Sequence, residues 1–147
     1  MKTAIEKAVW NYMLNDLSIP RKELNGHAVC PWIKKYRDRI HVQEVTSGVK
    51  IPIEHAVEMM VPLNFMAIVL AFPNKPPIGT INKTVNEILN RPGNEDVEIL
   101  VSNHRLTGKY RGIYTGFKQC DLVIIQSSER LKRARIASKK AGYYETD

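Results

Sequence analysis

Hydrophobic residues in the first fourteen positions recur at helical spacing. Ile5, Ala8, Val9, Tyr12 and Met13 share one face, so residues 3–14 predict an amphipathic helix that ends before Pro20. Leu24-Asn25-Gly26-His27 is turn chemistry, because Asn and Gly tolerate positive φ. Pro31 suits the first helical position, where its missing N–H costs nothing. That predicts a helix from Pro31 to about Arg39 with Cys30 at its N-cap. Ile40 to Val45 is rich in β-branched residues and predicts a strand closed by Ser47-Gly48. Ile53, Ala56, Val57 and Met60 mark a short helix that starts after Pro52 and is stopped by Pro62.

Phe65 to Phe72 is unbroken apolar sequence bounded by prolines, the pattern of a strand covered on both faces. It is less than half of the roughly 20 residues that a membrane-spanning helix needs. Ile81, Val85, Ile88 and Leu89 predict a helix from about Thr80, ended at Arg91-Pro92-Gly93-Asn94. Val97 to Val101 and Asp121 to Gln126 read as two further strands, and Ser128 as the cap of a last helix, Glu129 to Ala141. Strands and helices alternate, which predicts an α/β (α+β) fold of one domain, residues 1–147. The expected architecture is a two-layer sandwich of ferredoxin-like type, a four-stranded sheet with helices packed on it.

Composition adds limits. A chain of 147 residues buries enough surface to fold without disulfide or metal staples. Cys30 and Cys120 are too few for a disulfide framework. Glu6 and Lys7 interrupt any apolar signal core, so the expected location is cytoplasmic, with no membrane partner. The net charge of +7 is concentrated in one stretch. Residues 1–103 hold 12 basic and 11 acidic side chains, whereas residues 104–140 hold ten basic against Asp121 and Glu129.

Cys30 is the first chemical candidate. A thiol at a helix N-cap meets the positive end of the helix dipole and the unpaired N–H groups of the first turn, both of which favour thiolate. The competing role is a small buried cap. His104 follows a strand, where α/β proteins place functional side chains, and is a candidate catalytic partner; its alternative is a solvated loop histidine. His27 and Cys30 have ligand-like spacing, but no second short-spaced pair accompanies them, so neither a metal site nor a cofactor is expected.

Cys30-Pro31-Trp32 resembles the start of the glutaredoxin active site, where Cys-Pro-aromatic-Cys opens a helix that is followed by a strand. The resemblance covers about Ala28 to Val45. Ile33 stands where the second cysteine would be, which leaves a single thiol. Asn25-Gly26, Cys30-Pro31-Trp32, His104, Gln126 and Gly142-Tyr143-Tyr144 together resemble a group of uncharacterised small bacterial and phage proteins. That resemblance implies a shared fold and carries no activity.

Gly108 to Phe117 interleaves cations with aromatics and is neither a P-loop nor a dinucleotide fingerprint. Tyr110, Arg111 and Tyr114 are candidates for stacking on bases and neutralising phosphates, in a segment that otherwise reads as a hairpin beside the sheet. Arg130, Arg133 and Lys140 lie in the last helix, whose six cations face one Glu129. Two functions follow as expectations: a thiol-centred redox-type or accessory enzyme using Cys30 and His104, and a nonenzymatic binding module. The module would hold nucleic acid, a nucleotide or an acidic protein on the 104–140 region. A phage-encoded protein acting on a host partner by surface contact would be one form of it.

Overall fold

The computed structural model describes residues 2–17, 33–104, 109–110, 113–114, 117–130, 132–133 and 136. Helix α1 spans Ala4–Tyr12 and opens with a capping box. Thr3 Oγ1 accepts from the Glu6 N–H, and Glu6 Oε1 accepts from the Thr3 N–H. The second oxygen of Glu6 reaches out of the helix and accepts from the N–H of Glu44 at 2.9 Å. A π-helical turn, Met13–Leu17, extends α1.

Four strands form one sheet: β1 (Ile40–Glu44), β2 (Ala67–Phe72), β3 (Val97–Ser102) and β6 (Asp121–Ser127). Their order is β1-β2-β6-β3; β1 runs parallel to β2, and β6 lies antiparallel to both β2 and β3. A small hairpin, β4 (Lys109–Tyr110) and β5 (Ile113–Tyr114), interrupts the connection from β3 to β6. Helix α2 (Lys50–Met60) connects β1 to β2, and α3 (Ile78–Leu89) connects β2 to β3. The unit β2-α3-β3 with β6 inserted between its strands is a split βαβ arrangement, within a sheet that is mixed and not antiparallel throughout as the ferredoxin-like type would have it. Strand β1 adds a parallel edge to it.

Side-chain alternation on β2 separates two cores. Ile68, Leu70 and Phe72 face Ile53, Val57 and Met60 of α2 and Ile81, Val85 and Ile88 of α3. These residues, with the sheet, make the two-layer α/β sandwich that the periodicity predicts. On the reverse face the smaller Ala67, Val69 and Ala71 meet Val9 and Met13, so α1 covers part of that side. Every residue of β2 is buried, as its continuous apolar run requires.

Two local expectations are corrected. The described part of the segment expected to be helical from Pro31 to Arg39 contains no α-helix: residues 33–36 form a turn and Arg37–Arg39 a single 3-10 turn. Ile33 is buried, but residues 37–39 are exposed, so a second helical turn there would bury no face before β1 begins. The last helix is capped one residue earlier than expected, because Ser127 Oγ accepts from the Arg130 N–H. Among the described residues, no helix is long and apolar enough to cross a membrane.

Candidate functional site

Strand β3 ends beside the start of β6, with Ser102 opposite Leu122. Two residues further along the chain, His104 reaches Asp121. Asp121 Oδ1 accepts from the His104 backbone N–H at 2.8 Å and lies 2.6 Å from the ring Nδ1. The His104 side chain is 13% exposed and that of Asp121 only 1%. A carboxylate oxygen only accepts, so Nδ1 is the donor of this contact. His104 is therefore not a solvated loop residue. The pair sits at the C-terminal ends of the parallel strands, where α/β sheets gather functional groups.

In the sequence Asp121 stands out as a strand start and as one of two acids in the basic stretch, and no local signal links it to a histidine 17 positions earlier. Its neighbour Cys120 is fully buried, and burial pushes its thiol up to about 11, so it stays protonated at neutral pH and acts as packing. Among the described residues, no three His, Cys, Asp or Glu side chains converge on a common metal position.

The other predicted site residues separate into three groups. Cys30, Arg111 and Lys140 lie outside the described residues. Tyr110 and Tyr114 belong to the hairpin, with Tyr110 opposite Ile113 and Lys109 opposite Tyr114. Arg130 and Arg133 border a cleft of about 340 Å³ whose floor includes Met60, Phe65 and Val97 and whose lining also holds Asp96 and Glu129. Val61 in this cleft is 69% exposed, and Leu63 close by in sequence is 55% exposed. Arg133 Nη2 lies 2.5 Å from Glu129 Oε1.

Strand β6 sets the distance between these groups. The hairpin leads into its first residue, Asp121, whereas the cationic helix leaves from its last, Ser127. Seven residues of strand put the two ends roughly 20 Å apart. The basic region 104–140 is thus continuous in sequence but leaves the sheet at opposite ends. Comparison with known proteins finds no matching family model, no matching curated protein and no matching solved structure. The residues themselves define an α/β sandwich with a buried Asp–His pair at one end of the sheet and an arginine-bordered cleft at the other.

Proposed function

We propose that the protein is a nonenzymatic binding module that holds an acidic protein partner at the cleft beside Arg130 and Arg133. One observation carries this reading. Arg130 and Arg133 border a cleft whose lining also presents the exposed apolar side chain of Val61, so cations and apolar surface lie side by side. Exposed Val61 in the cleft favours protein over nucleic acid as the partner, since acidic segments with apolar side chains satisfy both the arginines and the apolar surface.

Fluorescence anisotropy tests the reading with two labelled probes. One is a peptide of alternating Asp/Glu and Leu/Phe residues, the other a single-stranded oligonucleotide. The expected result is peptide binding that weakens steeply as salt rises and is lost in Arg130→Glu/Arg133→Glu. Tighter binding of the oligonucleotide, or peptide binding unchanged by the double reversal, would overturn it.

A second reading keeps the thiol enzyme, and the orientation of His104 by Asp121 favours it. With Nδ1 held, a neutral His104 is suited to take a proton at Nε2 from a nucleophile such as the Cys30 thiol. Limiting iodoacetamide at pH 6–7 checks this. Labelling of Cys30 no faster than a free model thiol rules it out.

A further inference from the structure

The face of the sheet that carries α1 is incompletely filled. Small residues on β2 leave a cavity of about 100 Å³ bordered by Tyr12 and Met13, Ala67, Ile124, Gln126 and, on β3, Leu100. Leu100 is 55% exposed, and it marks the mouth. Gln126 is 6% exposed and stands on β6 opposite Ala67. Its Oε1 is buried and has no hydrogen-bond partner among the described residues.

A buried acceptor left unpaired costs about 1–3 kcal/mol, and nearly all such atoms in folded proteins are satisfied. Water is a poor filler for this space. A buried water makes about three hydrogen bonds, and among the described residues the only polar side chains of the lining are Gln126 and Tyr12, whose ring packs on Phe117. Apolar walls with few polar groups are instead the chemistry of a small-molecule site. Volume sets the scale, since a cavity of about 150 Å³ admits benzene.

We infer that this cavity binds a small, mainly apolar ring that carries a single N–H or O–H donor, which Gln126 Oε1 accepts. The ring lies against Ala67 and Ile124 and enters past Leu100. Neither the cationic cleft nor the His104–Asp121 pair is part of this site.

Pyrrole and furan test the assignment, because they match in size while only pyrrole donates. Binding is read from methyl resonances of Leu122 and Ile124 in titrations of the full chain. Pyrrole is expected to bind about tenfold more tightly than furan, the value of one net hydrogen bond. In Gln126→Met, which keeps the shape and removes the acceptor, the ratio should fall to about one. Comparing ratios between the two proteins cancels the different hydration of the probes. Equal affinities in the wild-type chain, a preference that survives in the variant, or no perturbation by either probe would overturn the assignment. Intermolecular NOEs from pyrrole to Ile124 in the wild-type chain support it without depending on the variant, and NOEs confined to other surfaces refute it.

Discussion

A single carboxylate oxygen of Asp121 holds His104 twice, through the backbone N–H at 2.8 Å and the ring Nδ1 at 2.6 Å. The pair closes the excursion from residue 104 to 121 that contains the hairpin and ties the exit of β3 to the entrance of β6. Both groups are largely removed from water, so each depends on the other for its hydrogen bonding.

Replacing Asp121 by Ala leaves the His104 N–H and ring without their acceptor. Urea denaturation should show a loss of about 2–4 kcal/mol, the range for breaking a buried, charge-assisted interaction. A loss below about 0.5 kcal/mol, typical of surface substitutions, would mean that the pair contributes nothing to closing the excursion.

Cys120 predicts a stability change at alkaline pH. Its thiol is raised from an ordinary value of 9.0 to about 11, so between those values the unfolded chain has lost a proton that the folded chain keeps. Stability is therefore undiminished below pH 9 and falls as pH rises toward 11, by up to about 3 kcal/mol. In Cys120→Ala this part of the alkaline slope should vanish, which unfolding curves at pH 8, 9.5 and 10.5 would reveal.

Glu6 has a double role, as the N3 partner in the α1 capping box and as the acceptor for the last residue of β1. Burial pushes its carboxyl up, but the N–H groups of Glu44 and Thr3 outweigh that and hold it below the ordinary 4.5. Its contribution is thus present above that pH and is lost as the pH falls through the lowered value. Glu6→Gln should cost about 1 kcal/mol at neutral pH. The gap between variant and wild type should close in acid, and a gap that stays constant would assign the effect to shape alone.

The start of the last helix distinguishes two adjacent serines. Ser127→Ala removes the hydroxyl that accepts from Arg130 and should cost about 1 kcal/mol, whereas Ser128→Ala should be close to neutral. Circular dichroism melts of the two variants provide the comparison. The reverse ranking would move the cap to Ser128.

Much of the architecture was written in local patterns. The apolar stripe of Ile53, Ala56, Val57 and Met60, that of Ile81, Val85 and Ile88, and the unbroken run Ala67–Phe72 each occupy the predicted element and are almost wholly buried. Burial of a helix face or a strand leaves a periodicity in its own residues, so these elements are legible without knowing what they pack against. The segment 33–39 failed for the complementary reason. Pro31 signals a helix start, but only a packing partner would have sustained the second turn, and Arg37, Asp38 and Arg39 point to solvent.

Most of the elements, the class of fold and the uneven charge are legible in local sequence. Tertiary structure alone decided the insertion of β6 between β2 and β3, and with it nearly everything about the sites. That insertion brings Asp121 to His104, carries the hairpin and the cationic helix to opposite ends of the sheet, and sets Gln126 over Ala67. Each is a relation between segments distant in the chain, fixed by strand register, and register leaves no periodic trace in either partner.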